Sequence, residues 1–203
     1  SANYDATVTV TAVNDAPAGA NKTVTTLEDT AYVLVASDFG FTDPMDASAH
    51  ALAAVKITTT PGAGSLRLDG VPVSAGQFIS AADITAGKLV FTPAAGGNGA
   101  AYAAFTFQVQ DDGGVANGGV DLDATPRTLS FDVTPVNDVP TGLPAVTGSV
   151  VEDQVLTADT SAIADADGLG AFSYQWLRGG SPIAAATGST YTLGDVDVGG
   201  LIS

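Results

Sequence analysis

Apolar and polar residues alternate one for one in several stretches of the chain, and this period of two is the strongest limit on how it can fold. Phe105, Phe107 and Val109 alternate with Thr106, Gln108 and Gln110, and Leu129, Phe131 and Val133 alternate with Ser130, Asp132 and Thr134. Val8, Val10 and Ala12 alternate with Thr7, Thr9 and Thr11 in the same way. Successive side chains of a strand point to opposite faces, so each run buries one face and wets the other. The same reading places strands over residues 30–35, 53–60, 65–68, 87–92, 171–178 and 190–193. The 24 Gly and 10 Pro fall mostly between these runs, where turns need them. The one helical signal is a single turn, Ser80-Ala81-Ala82-Asp83-Ile84, with Ser80 as its cap. Many short strands separated by turns predict an all-β chain built of antiparallel β-sandwiches.

The chain also repeats itself at long range. Val13-Asn14-Asp15-Ala16-Pro17 returns 123 positions later as Val136-Asn137-Asp138-Val139-Pro140. An acidic pair follows each copy, Leu27-Glu28-Asp29-Thr30 and Val151-Glu152-Asp153-Gln154, and these hold the only two Glu of the chain. Next come Phe41-Thr42-Asp43-Pro44-Met45-Asp46 in one copy and Asp165-Ala166-Asp167-Gly168 in the other. Acids recurring in one order predict tandem modules. Residues 1–13 read as the last strand of a preceding module, 14–138 as a complete module, and 139–203 as a module truncated before its final strands. Pro17 and Pro140 would stiffen the linkers. With no initial Met, and with its last residues in the apolar stretch Leu201-Ile202-Ser203, the chain reads as a segment of something longer.

The acids concentrate at strand ends and linkers: Asn14-Asp15, Glu28-Asp29, Asp43 with Asp46, Asp111-Asp112, Asn137-Asp138, Glu152-Asp153, and Asp165 with Asp167. Clustered carboxylates repel one another unless a cation lies between them. Ca2+ suits such a set, because it accepts six to eight oxygens from carboxylates, amides and carbonyls in loose geometry. Mg2+ needs a stricter octahedron, and Zn2+ wants His or Cys ligands that these clusters lack. Asp and Asn also serve as turn and cap residues without any metal. Asp69, Asp83, Asp121, Asp123, Asp195 and Asp197 read as such turn or surface acids, and His50, the one His, as a surface-loop residue.

The balance of 22 Asp+Glu against 6 Lys+Arg, a formal charge of −16, excludes other classes. The basic residues are scattered singly, so no patch exists to displace counterions from nucleic acid or to meet an anionic membrane. No apolar run reaches the ~20 residues that would span a bilayer as a helix. Without Cys there are no disulfides, thiolate metal sites or thiol nucleophiles. Neither Gly-x-Ser-x-Gly nor His-Glu-x-x-His occurs, and most of the 14 aromatics lie in strand patterns, so the chain reads as non-enzymatic. Trp176 reads as the core Trp of a sandwich strand.

The order Val-Asn-Asp-x-Pro, then Glu-Asp, then a pair of spaced Asp resembles the calcium-binding boundary of cadherin-type repeats. The middle module is similar to the bacterial cadherin-like and proteoglycan-type repeats of large RTX-type surface adhesins, on Pro61-Gly62-Ala63-Gly64-Ser65-Leu66, Gly87-Lys88-Leu89-Val90-Phe91-Thr92-Pro93 and Phe105-Thr106-Phe107-Gln108-Val109-Gln110-Asp111. The last segment, with Ala164-Asp165-Ala166-Asp167-Gly168 and Ser173-Tyr174-Gln175-Trp176, resembles an immunoglobulin-like repeat. The resemblance implies an extracellular or cell-surface protein in which Ca2+ rigidifies inter-module junctions and extends an adhesive region. The alternative it leaves open is a module that binds a glycan or a protein, with Tyr102 or Tyr191 on an exposed groove. It assigns Asn14, Asp15, Glu28, Asp29, Asp43, Asp46, Asp111 and Asp112 to a first joint, and Asn137, Asp138, Glu152, Asp153, Asp165 and Asp167 to a second. The expected partners are neighbouring repeats and a host or biofilm glycan or protein. Ala12 and Pro135, with Ala16 and Val139, stand where cadherin linkers carry further ligands, which implies fewer or weaker ions.

Overall fold

The computed structural model describes residues 7–46 and 48–203. The chain divides into two compact units, one ending at Val136 and the other running from Asn137 to Ser203. The first holds strands β1 (Lys22–Leu27), β2 (Tyr32–Val33), β3 (Leu52–Ile57), β4 (Ser65–Leu68), β5 (Val71–Pro72), β6 (Phe78–Ser80), β7 (Leu89–Thr92), β8 (Gly99–Asp111) and β9 (Arg127–Thr134). A short helix, α1 (Ala81–Thr85), follows β6, and Ser80 caps it by accepting from the Asp83 N–H at 3.0 Å.

These strands form two sheets, β1-β9-β8-β3-β6 and β2-β7-β4-β5. The alternation read from the sequence decides what lies between them. Phe105, Phe107, Val109, Leu129 and Phe131 from the larger sheet and Leu66, Leu89 and Phe91 from the smaller are all buried in one core. Phe91 stacks on Phe131 across the sandwich at 3.7 Å between ring centroids, and Phe39 meets Phe107 edge-on at 4.9 Å.

One ladder departs from the antiparallel expectation: β1 lies parallel to β9, with Lys22 opposite Leu129 and Leu27 opposite Thr134. The chain enters this unit at one pole, beside Asp111, and leaves at the other, beside Glu28. First and last strands that both run pole to pole in one direction can pair only in parallel. The alternating segment at 7–13 is exposed and forms no strand, because no neighbour among the described residues offers it a ladder. Residues 1–6, the rest of that expected strand, lie outside the described residues.

The second unit holds β10 (Ala145–Gly148), β11 (Val155–Asp159), β12 (Leu177–Arg178), β13 (Ser181–Pro182) and β14 (Thr190–Thr192). A three-stranded antiparallel sheet, β10-β11-β14, and a β12–β13 hairpin surround Leu156, Trp176 and Leu193. Trp176 is the core residue expected, and its indole N–H donates to the Gly188 carbonyl at 2.9 Å. The strand expected over 171–178 shrinks to Leu177–Arg178. Upstream of it, among the described residues, backbone pairing with another segment is confined to Trp176, whose N–H donates to the Ala186 carbonyl and whose carbonyl accepts from the Ile183 N–H.

Buried acids form a second layer of organisation, and two of them, Asp123 and Asp197, were expected as turn or surface acids. Asp38 accepts from Lys22 Nζ at 2.7 Å, the Tyr32 hydroxyl at 3.3 Å and the Val35 N–H at 2.9 Å. Asp197 repeats the device, accepting from Arg178 Nε at 2.6 Å, the Tyr191 hydroxyl at 2.9 Å and the Gly194 N–H at 2.9 Å. Asp123 accepts from Arg127 Nε and the N–H groups of Gly19 and Thr125. Asp123 and Asp197 are thus buried structural acids, not the surface residues expected. Burying a carboxylate is costly unless donors or a cation compensate it, and each of these three has both.

Two outcomes follow from this packing. Phe131→Ala should destabilise the first unit by about 3–5 kcal/mol, read from urea unfolding by far-ultraviolet circular dichroism. The Gly194 N–H, together with Arg178 and Tyr191, holds the Asp197 carboxyl below its ordinary 3.8. Its stabilising contribution is therefore complete above that value and is lost as pH falls through the folded one. Asp197→Asn should cost stability at about pH 7 and progressively less towards about pH 3, followed through the fluorescence of Trp176.

Candidate metal centre

The pole where the chain enters the first unit is built by four segments. Asn14 ends the incoming extended stretch, tied by its amide to Asp111 Oδ1 at 3.0 Å and the Val120 carbonyl at 2.8 Å. Asp111 is the last residue of β8 and keeps the parity of Phe105, Phe107 and Val109, so its carboxylate points inward where the apolar face ends. Its Oδ1 also accepts from the Gly113 N–H at 2.9 Å. An antiparallel bridge between Ala18 and Thr42 delivers Asp43 to the same pole. The loop that follows returns at His50, whose N–H donates to Asp43 Oδ2 at 2.9 Å. Asp46 accepts from the Asp15 N–H at 3.2 Å.

His50 Nδ1 stands 3.5 Å from Asp43 Oδ2 and 3.4 Å from Asp46 Oδ2, with the side chains of the two acids 0% and 7% exposed and the imidazole 30% exposed. One ligand atom from each of these three residues falls within 4.8 Å of the others. A cavity of 190 Å³ lined by Asn14, Asp46, His50 and Gly113 opens beside them. Gly113 permits this approach: a Cβ there would meet Asn14 Oδ1 at 1.9 Å and His50 Cε1 at 2.6 Å.

Among the described residues, four buried polar atoms here have no hydrogen-bond partner: Asn14 Oδ1, Asp43 Oδ1, Asp111 Oδ2 and His50 Nδ1. Each such atom costs about 1–3 kcal/mol, and a charged one more. Asp38, Asp123 and Asp197 each have a Lys or Arg, whereas among the described residues none pairs with Asp43, Asp46 or Asp111. Every unsatisfied atom is an acceptor or a ligand, and the deficit is of positive charge. The donor set fits a divalent cation: Asp43, Asp46 and His50 could each offer one atom to it, with the unpartnered oxygens of Asn14 and Asp111 at the same pole and water as the remainder.

The other expected ligands lie elsewhere. Asp112 takes the opposite parity on β8 and accepts from the Ala51 N–H at 2.8 Å. Asp15 contributes its backbone N–H, and its residue is exposed. Glu28 and Asp29, assigned to this joint, sit at the opposite pole. Glu28 is buried there, binding Asn98 Nδ2 at 2.8 Å and the Val136 N–H. Asn98 immediately precedes β8 and Asp111 ends it, a separation of roughly 40 Å of strand.

The recurrent Glu-Asp pair has a backbone explanation. Asp29 and Asp153 both adopt left-handed φ, at 54° and 63°, and both turns close by the next N–H donating three residues back, Thr30 to Leu27 and Gln154 to Val151. Asp is among the few residues with a side chain that adopt this conformation readily. Asp29 accepts from the Gly96 N–H, and the Asp153 N–H donates to the Leu193 carbonyl. Glu152 is exposed, and the hydrogen bond it shares with Asp195 raises its carboxyl above the ordinary 4.5.

The second unit repeats the local pattern of this pole. The Asp138 N–H donates to Asp167 Oδ2 at 2.6 Å, as the Asp15 N–H does to Asp46. A Thr141–Ala164 bridge stands where Ala18–Thr42 does in the first unit. Asp165 Oδ1 accepts from the Asp167 N–H at 2.9 Å, and the exposed Asn137 donates to the Asp138 carbonyl. The loss of one residue between the spaced acids aligns Asp165 with Asp43 and Asp167 with Asp46.

His50 is the ligand candidate that sequence reasoning missed. A lone His in a polar loop carries no periodic signal, and only its four-residue spacing from Asp46 hinted at a shared site.

No curated protein and no solved structure matches the chain. The bacterial Ig domain family matches residues 14–123, a stretch that opens on Asn14, contains Asp43, Asp46, His50 and Asp111, and closes on Asp123. With that match over more than half of its length, and with a two-sheet β-sandwich as its larger unit, the chain belongs to the bacterial Ig domain family.

Proposed function

We propose that this chain is a calcium-binding structural segment of a large secreted or surface-anchored bacterial adhesin of the RTX type, with no enzymatic role. In this reading Ca2+ binds at the incoming pole of the Ig module, between Asn14, Asp43, Asp46 and Asp111. It rigidifies the linker that enters the module, and so helps to extend an adhesive region. The observation that carries the reading is the convergence of three buried oxygens without partners, from Asn14, Asp43 and Asp111, where no Lys or Arg compensates them. Bound Ca2+ supplies the missing positive charge and replaces the lost hydration of those oxygens. Asn14 is both a ligand and the hinge of the incoming chain, which couples ion binding to the order of the linker. The pattern of Asp138, Asp165 and Asp167 supports a recurring use of the same local design.

Affinities of extracellular calcium modules lie at about 10⁻⁴–10⁻³ M, so the site would fill outside cells and empty inside them. The glycan-binding alternative relied on Tyr102 and Tyr191. Both face the fold: the Tyr102 hydroxyl accepts from the Ala94 N–H at 3.0 Å, and Tyr191 bonds Asp197 and stacks on Trp176.

Calcium at about 100 times its Kd should stabilise the first unit by about 2.7 kcal/mol, seen as a rise in Tm and as heat in calorimetric titration. Asp43→Asn or Asp111→Asn should abolish that response while leaving stability in chelator unchanged or higher, since each removes a buried unpaired charge. Asp69→Asn, in the turn between β4 and β5, should respond like the parent chain. A parent chain with no calcium-dependent change in Tm or heat would sink the reading.

A further inference from the structure

The sequence reading set aside Zn2+ because it found no His or Cys ligand among the acids. The fold brings one there. We infer that His50 is a ligand of the same centre, and that the site takes imidazole-tolerant divalent ions of the first transition row in preference to Ca2+. The inference rests on the metal-site reading above and adds to it the identity of the ion favoured.

The geometry is that of a coordination shell. Ligand atoms at about 2.0–2.2 Å from an ion stand about 3.3–3.6 Å apart at tetrahedral angles. At Ca2+ distances of about 2.3–2.6 Å they stand about 3.3–3.7 Å apart at right angles, so the spacing admits either ion and the ligand type decides. His50 Nδ1 is 3.5 Å from Asp43 Oδ2 and 3.4 Å from Asp46 Oδ2, within that edge length. Despite this proximity, Nδ1 has no hydrogen-bond partner, so the ring is not serving as a donor to either carboxylate. Its placement is fixed from behind: the His50 N–H is bonded to Asp43 Oδ2, and the ring edge lies against Gly113 and Asn14. The partial exposure of the ring and the adjoining 190 Å³ cavity provide a path for an ion and room for its remaining waters.

Chemistry then sets the preference. Ca2+ is a hard ion that takes oxygen ligands, so an imidazole nitrogen contributes little to holding it. First-row transition ions accept imidazole and carboxylate together, with affinity rising from Mn2+ towards Cu2+. Two carboxylates, one amide oxygen and one imidazole form a mixed shell suited to this class. A third carboxylate, from Asp111, lies at the edge of the same pole.

The test uses Mn2+ and Ca2+ on the full 203-residue chain and on His50→Gln. Mn2+ is the weakest binder of its row, so a preference for it is a demanding outcome. Mn2+ should bind the parent chain about tenfold more tightly than Ca2+, by electron paramagnetic resonance of the free ion and by calorimetry. The bound Mn2+ should show the nitrogen-14 modulation of a coordinated imidazole. His50→Gln should lose that modulation and the preference, with its Ca2+ affinity changed less than about threefold. Mn2+ bound without nitrogen coupling, a preference that survives in His50→Gln, or an equal loss of both ions would each overturn the role of His50 while calcium binding stood. If neither ion binds the parent chain, the calcium reading falls as well.

Discussion

Removing a carboxylate from water is the physical constraint on which the rest of this structure turns. The chain carries 22 acids and only 6 basic residues, so most acids must stay wet, and those that do not need compensation from nearby. Three of the buried ones receive it from a Lys or Arg within the same unit: Asp38 from Lys22, Asp123 from Arg127 and Asp197 from Arg178. Among the described residues, Asp43 and Asp111 receive none, and each keeps one oxygen without a donor. With basic residues this scarce, a divalent ion would be an effective source of charge in the proposed reading, since one ion serves several oxygens at once.

The sandwich is what makes those positions possible. β8 carries Phe105, Phe107 and Val109 into the core and then, on the same parity, Asp111. The face that is apolar through the middle of the unit becomes polar at its pole without any change in period. The parallel pairing of β1 with β9 sends the incoming and outgoing chain to opposite poles. The side chains of the incoming pole are therefore set beside the linker that arrives there, at Asn14. Glu28, at the outgoing pole, satisfies its carboxylate with neutral donors from Asn98 and Val136.

Much of the fold could be read from short-range pattern, and the failures have a common cause. Ser65–Leu68 and the Ser80-capped turn are found as expected, because an alternating run or a capping serine carries its instruction within a few residues. Lys22–Leu27 escaped notice, since Val24 is its only fully buried aliphatic and its pairing depends on β9, more than 100 residues away. Residues 171–176 show the reverse case, in which a strand-like segment finds no ladder among the described residues. For the acids, position in a turn looks alike whether the side chain ends in water or beneath it. Arg127 four residues after Asp123, and Tyr191 six residues before Asp197, were the available hints of burial.

The sequence by itself determined the class of fold, the two-fold repetition of the acidic motifs and the excess of negative charge that calls for cations. These follow from period, order and count, which need no knowledge of distant contacts. The tertiary structure decided which acids meet. Asn14 and Asp111 are separated by 97 positions and bonded at 3.0 Å, whereas Glu28, assigned to the same joint, lies at the far end of a strand. It also decided that His50 belongs with Asp43 and Asp46, because the loop closes back on its own starting residue through the His50 N–H. Proximity between residues far apart in the chain is set by strand order and register, and these depend on the whole core at once.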